Sequence, residues 1–177
     1  MHNKGLTLIE LLIVIAIAAT VATIAMPSFK DLLNRQEING QANLLFSMLY
    51  LARSEAVKRN SVVTICKSSD GQVCGGLWAD GWLMFVDTDS DGSLDEDELI
   101  IAQGQISDKI AVGWVAFGSN NYIRFTSRGM TLAQNGTFTI CPVSADASIA
   151  RTVVVSKTAR VRVTPAGING SGDAINC

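Results

Sequence analysis

The hydrophobic pattern divides the chain into three stretches of different period. From residue 6 to residue 29 the apolar positions are nearly continuous, with Glu10 as the only charged side chain. A helix of about 20 apolar residues crosses the roughly 30 Å hydrocarbon core of a bilayer, so this run predicts a transmembrane helix. A secretory signal would be shorter and would end in a small-residue cleavage site; here Ala16 to Ala19 lie inside the run. Over residues 30–60 the pattern becomes amphipathic. Leu45, Met48, Leu49, Ala52 and Ala56 recur at helical spacing, and Glu37, Arg53, Glu55, Lys58 and Arg59 fill the intervening positions. Glu55 and Arg59 stand in the favourable i,i+4 order, and Asn60-Ser61 closes the segment. Pro27 removes one helix hydrogen bond and is expected to kink the helix rather than end it. A helix from Leu6 to Asn60 would be roughly 80 Å long at 1.5 Å per residue.

After Asn60 the period shortens. Runs rich in Val, Ile, Thr and aromatics at 62–67, 82–86, 99–102, 110–117, 122–126, 137–141, 152–156 and 161–164 predict strands, with Gly, Asn, Asp and Ser between them. The fold class is therefore α+β: a long N-terminal helix, transmembrane then amphipathic, packed on an antiparallel β domain of two small sheets spanning 61–177.

Composition adds little until it is localised. The chain has 177 residues, 48% hydrophobic and 17% charged, with a formal net charge of −2. Disorder and low-complexity classes are excluded. Residues 87–98 carry seven acids and no base, leaving 14 bases against nine acids elsewhere. The mild acidity is one loop on an otherwise slightly basic protein, so the net charge does not exclude a phosphate-contacting surface.

Glu10 is the exception inside the membrane run. A carboxylate there costs about 2.5–3.5 kcal/mol or more at mid-bilayer. It either snorkels to the interface or waits for a positive partner from a neighbouring subunit. The stretch Lys4-Gly5-Leu6-Thr7-Leu8-Ile9-Glu10-Leu11-Leu12 resembles the class III leader junction of type IV pilins and pseudopilins. That resemblance implies a leader over residues 1–5, cut after Gly5 by a membrane-embedded prepilin peptidase, and methylation of the new N-terminus at Leu6. Leu6 stands where phenylalanine is usual. The resemblance further implies that Glu10 pairs with the N-terminal amine of another subunit during assembly. Ala52-Arg53-Ser54-Glu55-Ala56-Val57-Lys58-Arg59-Asn60 is similar to the end of this helix in the GspH/FimT/FimU-type family of minor pilins and pseudopilins.

The β domain holds two further motifs and four cysteines. Asp87, Asp89, Asp91, Ser93, Asp95 and Glu98 occupy ligand positions 1, 3, 5, 7, 9 and 12 of an EF-hand calcium loop, with Gly92 at its turn. The flanks read as strands rather than helices. Calcium binding and a solvated acidic hairpin tip both remain open; no other cofactor is expected. Cys66, Cys74, Cys141 and Cys177 allow three pairings. The expected pairs are Cys66–Cys74, closing a Ser/Asp/Gly-rich loop, and Cys141–Cys177, tethering the tail. Zinc is disfavoured by the absence of C-x-x-C spacing and by His2 being the only histidine.

Residues Val154 to Val163 resemble the C-terminal G-R-x-R region of the family, with Ala159 in the place of the glycine. In FimT-type competence pilins this element binds DNA phosphates. The candidate DNA-binding residues are Arg160, Arg162, Lys157 and Arg151; two solvent-facing arginines on a strand is the structural alternative. Serines and threonines lack a base partner, and Gly75-Gly76 lacks the lysine of a phosphate loop, so an enzyme is not expected.

The family resemblance implies a single-pass inner-membrane subunit with its C-terminal domain in the periplasm, assembled into a filament with other minor and major pilins. Its expected role is to prime assembly of a type IV pilus near the tip, with Phe29, Leu32 and Leu33 contacting neighbouring helices. The alternatives are a DNA-uptake pilin and a minor pseudopilin of type II secretion. Substituting Gly5 should leave an uncut precursor, read by intact-mass measurement; a normally processed N-terminus would contradict the leader assignment.

Overall fold

The computed structural model describes residues 7–177; the leader, Gly5 and Leu6 lie outside the described residues. The chain forms two compact units, the first ending at Gln36 and the second beginning at Glu37. That boundary falls inside the single helix, α1 (Leu8–Arg59), and not at the change from apolar to amphipathic sequence.

In the first unit α1 continues through Pro27 without a break in its helical assignment. It contains a stretch long and apolar enough to cross a membrane, none of it buried within the chain. Its hydroxyls are satisfied locally: Thr20 Oγ1 donates to the Ile17 carbonyl at 2.8 Å, and Thr23 Oγ1 to the Thr20 carbonyl at 2.8 Å. Such pairing is what hydrocarbon requires of a polar side chain.

In the second unit the buried stripe of α1 is Ile38, Ala42, Leu45, Met48, Leu49, Ala52 and Ala56. It begins two turns before the predicted stripe, because Ile38 and Ala42 continue the same helical spacing. Three alanines in it let the backbone approach its neighbours closely. The helix ends in a Schellman cap. Asn60 takes a left-handed φ of 53°, its N–H bonds the Val57 carbonyl at 3.3 Å, and the Ser61 N–H bonds the Ala56 carbonyl at 3.2 Å. In the last turn Glu55 accepts from Arg59 Nε at 2.7 Å and Lys58 Nζ at 3.3 Å. The hydrogen bond from Arg59 holds the Glu55 carboxyl below its ordinary range.

Eight strands follow: β1 (Val63–Lys67), β2 (Gly81–Val86), β3 (Ile100–Gln105), β4 (Ile110–Ala116), β5 (Tyr122–Phe125), β6 (Gly136–Pro142), β7 (Arg151–Val155) and β8 (Val161–Val163). They form two four-stranded sheets, ordered β3-β2-β1-β5 and β4-β6-β7-β8. Every pairing is antiparallel. Alternation places Ile65, Met84 and Ile123 of the first sheet and Val112, Trp114, Phe138, Ile140 and Val153 of the second in one core with the helix stripe. Trp114 stacks on Phe138 at a centroid distance of 4.3 Å, and Trp78 meets the same ring edge-on at 5.1 Å. Both indoles also find acceptors: Trp78 Nε1 donates to the Asn120 carbonyl at 2.8 Å and Trp114 Nε1 to the Ser119 carbonyl at 3.1 Å.

The opposite face of the first sheet is covered as well. Leu83 and Phe85 of β2 and Cys66 of β1 form a second small cluster with Cys74, Leu94 and Tyr122. β2 is thus buried on both sides, which explains its continuous Trp-Leu-Met-Phe-Val run. The disulfides are Cys66–Cys74 and Cys141–Cys177. Leu49→Ala should cost about 2–5 kcal/mol, whereas Val115→Ala, at a side chain 72% exposed, should change stability by no more than about 0.5 kcal/mol in urea denaturation of the full chain in detergent.

Candidate functional site

Three regions hold the residues that the sequence singles out, and each is built differently. At the start of α1, Glu10 Oε2 accepts from both the backbone N–H and the hydroxyl of Thr7, each at 2.8 Å. Thr7 Oγ1 in turn accepts the Glu10 N–H at 3.3 Å. This is a capping box: Thr7 is the N-cap, Glu10 is the third helical residue, and they satisfy each other's free amides. Its signal, T-x-x-E ahead of an apolar run, is present in the sequence.

The second region is the acidic loop between β2 and β3. It starts where Asp87 N–H bonds the Val62 carbonyl at 3.0 Å and Val86 N–H bonds the Leu99 carbonyl at 2.9 Å, so its two ends are held by strand pairing. Asp87 is fully buried; one carboxylate oxygen accepts the Thr64 hydroxyl at 2.5 Å. Its other oxygen is buried without a hydrogen bond. Carboxylate oxygens of Asp87, Asp89 and Asp91 lie within 4.8 Å of one another. Asx turns set this spacing: Asp91 N–H donates to Asp89 Oδ1 at 3.2 Å, and Ser93 N–H to Asp91 Oδ1 at 2.6 Å. Gly92 has φ +87°, and a Cβ there would stand 2.7 Å from the Tyr122 ring, so both backbone and space demand glycine. Arg124 Nη1 donates to the Ser90 carbonyl, with its guanidinium 4.9 Å over the Tyr122 ring.

The six EF-hand ligand positions are therefore not gathered as one set. Asp87, Asp89 and Asp91 meet, but the exposed Asp95 carboxylate is not part of that cluster. Glu98 turns inward to the loop backbone: Oε1 accepts the Thr88 N–H at 2.6 Å and Oε2 the Asp95 N–H at 3.2 Å. The reason is the scaffold. The loop exits into a paired strand instead of a helix, and that pairing brings the twelfth position beside the second. Burial pushes the Asp87 carboxyl above its ordinary range; the Thr64 hydroxyl opposes the shift and the Glu98 charge adds to it. Asp95 is also raised, first by partial desolvation and then by the charges of Asp89, Asp91, Glu98 and Asp97.

The third region is the β7–β8 hairpin. Ala159 holds a left-handed φ of 55° and is fully buried. Its N–H bonds the Ser156 carbonyl at 2.8 Å, and the Ser156 N–H bonds the Arg160 carbonyl at 3.0 Å. The turn thus persists with alanine where the family resemblance expects glycine, at a cost of about 1–2 kcal/mol for an L residue. Arg160, Arg162 and Lys157 are exposed; Arg162 Nη2 reaches the Gly170 carbonyl at 2.9 Å. Arg151 does not join them. It is half-buried and donates to Asn39 Oδ1 at 2.6 Å and to the Thr164 carbonyl at 2.8 Å, tying α1 to the second sheet.

A family model described as the type II transport protein GspH matches residues 41–159. The chain belongs to the GspH family. A model of the prokaryotic N-terminal methylation motif matches residues 1–26. The structure is similar to the type IV minor pilin FimU of Pseudomonas aeruginosa, with TM-score 0.58 and 23% identity, covering 74% of this chain and 90% of that one. It is also similar to EpsH, a minor pseudopilin from the type 2 secretion system of Vibrio cholerae, with TM-score 0.53 and 13% identity over 72% of this chain and 96% of that one. At these identities the likeness is one of fold. Among curated proteins, the pilin-like protein PilA1 of Thermus thermophilus is 33% identical over 98 residues, 55% of this chain. The match spans 57% of that relative's length.

The family is described as a type II transport protein, and the fold, shared with a minor pilin and a minor pseudopilin, is that of structural pilins and not of enzymes. With the apolar part of α1 they assign the chain a membrane anchor. Thr64 and Arg124, which hold the acidic loop to the sheet, carry no local sequence signal, because strand pairing alone brings them there. Thr64→Val, which removes the hydroxyl bonded to the buried Asp87 carboxylate, should cost about 1–3 kcal/mol in urea denaturation of the full chain.

Proposed function

We propose that this GspH-family protein is a minor subunit of a membrane-anchored pilin-like filament. It is cut after Gly5 by prepilin peptidase, methylated at Leu6, and held in the inner membrane by residues 6–29 with its β domain on the periplasmic side. It joins other minor and major pilins near the filament tip and primes assembly. The observation that carries this reading is an apolar helix whose side chains find no cover within their own chain, running in sequence into a GspH-type domain. Phe29, Leu32 and Leu33 are all at least half exposed, so neighbouring helices and lipid are what remain to bury them. Glu10 sets register: in hydrocarbon its carboxylate gains from a neighbour's N-terminal amine, for which the local bonds from Thr7 are a neutral substitute. The type IV minor pilin FimU and the minor pseudopilin EpsH support filament membership in either system.

Glu10→Leu should leave the protein in the membrane at its normal level and remove it from the sheared filament fraction by more than tenfold. Undiminished incorporation would count against the register role. Deletion read out by surface pili, transformation and secretion assigns the system, since loss of one readout alone selects it.

One observation favours a DNA-uptake role as the second reading. The left-handed turn at Ala159 presents Lys157, Arg160 and Arg162 to solvent. Each phosphate contact adds to the salt dependence of binding. In that case the full chain in detergent retains duplex DNA at low salt, and Arg160→Gln with Arg162→Gln abolishes retention.

A further inference from the structure

We propose that the loop between β2 and β3 is a calcium site whose core ligands are Asp87, Asp89 and Asp91, brought together over the outer face of the first sheet. This inference is independent of the filament reading. Its first ground is the state of Asp87. The carboxylate is fully buried; the Thr64 hydroxyl bonds Oδ2 and the Ser90 backbone amide also favours the charge, but Oδ1 is buried with no hydrogen bond of its own. An orphaned carboxylate oxygen in such a place costs free energy unless a cation or donor meets it. The second ground is spacing. Calcium takes oxygen ligands at about 2.3–2.6 Å, so two oxygens on one ion stand roughly 3–5 Å apart. One oxygen from each of the three aspartates falls within that range, at 4.8 Å or less.

The charge of the loop is answered only in part, by the electrostatic pull of Arg124 on Asp87. Seven acids lie between Asp87 and Glu98, and none of the seven stands in an ion pair. Arg124 is the nearest guanidinium from the underlying sheet, and it donates to the Ser90 carbonyl and lies over Tyr122 rather than bonding a carboxylate. The loop is also prearranged. Ser90 and Gly92 have φ of 65° and 87°, Glu98 holds the Thr88 and Asp95 amides, and Leu94 anchors the loop to Leu83 and Phe85. An ion binding there meets three carboxylates without first ordering the chain, and Glu98 serves as a brace for the loop. Calcium is favoured over magnesium because the site offers irregular, partly exposed carboxylates instead of a compact octahedron. With three core carboxylates, affinity belongs to the weak, extracellular class of about 0.1–1 mM.

The test uses the full chain in detergent, stripped with chelator. Calcium at about ten times its Kd should raise Tm by roughly 3–6 °C over chelator, with magnesium at the same concentration giving less than half of that. Because Asp87→Asn alters a buried hydrogen bond and puts folding at risk, the deciding variant is Asp89→Asn with Asp91→Asn, both exposed. It should melt normally in chelator and lose the calcium shift. Terbium provides a second readout: Tyr122 stands against Gly92, so tyrosine-sensitised terbium emission should appear and calcium should displace it. The proposal is overturned by an unshifted Tm at about 10 mM calcium, by an equal shift with magnesium or matched sodium chloride, or by a shift that survives in the double variant.

Discussion

The burial of one face of α1 against residues of both sheets is the constraint on which the β domain depends. Leu45, Leu49, Ala52 and Ala56 are all within 1% of full burial, and they share a core with Ile65 and Met84 of one sheet and Phe138 and Val153 of the other. Neither sheet has another helix to cover its inner face among the described residues. The stripe therefore does the work that a second layer does in a sandwich, and its alanines keep the distances short. Polar pins add orientation to this apolar seam. Arg151 bonds Asn39, Arg53 Nη1 bonds the Ala159 carbonyl at 3.3 Å, and Ser107 bonds Glu37 at 2.5 Å. All three join α1 to loops or strands at least 70 residues away in sequence.

The same helix meets a different requirement before Glu37. In its membrane-spanning turns the described apolar side chains are uncovered, and the hydroxyls of Thr7, Thr20 and Thr23 bond within the helix. A helix with satisfied backbone and unburied apolar surface is matched to lipid and to like helices. The chain thus separates two tasks along one element: cohesion of its own fold in the later turns, and attachment in the earlier ones.

The outer face of the first sheet follows another logic. Apolar residues Leu83 and Phe85 are sealed by the Cys66–Cys74 loop and by Leu94, so the acidic loop is part of the fold and not a free tip. Sealing the cluster draws Asp87 below the surface, where its charge is unfavourable unless compensated. Acidic residues concentrated on a loop that must pack is a tension, which the proposed calcium ion would relieve.

Much of this was legible from the sequence. The break from continuous to helical to alternating hydrophobicity located α1 and all eight strands, because each period is imposed by local backbone geometry over a few residues. Cysteine placement pointed to the two disulfides, and the D-x-D-x-D-G spacing located the loop. Strand order was not legible. Nothing near Tyr122–Phe125 says that it pairs with Val63–Lys67 rather than with its neighbour in sequence, since such pairing is set by closing long loops around a shared core. The fate of individual site residues was decided at the same level. Arg151 became a pin for α1 while Arg160 and Arg162 stayed in solvent, and Glu98 turned to the loop backbone while Asp87 met Asp89 and Asp91. Local spacing determines which residues exist to do chemistry; only tertiary packing decides which are buried, which are spent on holding the fold, and which remain free.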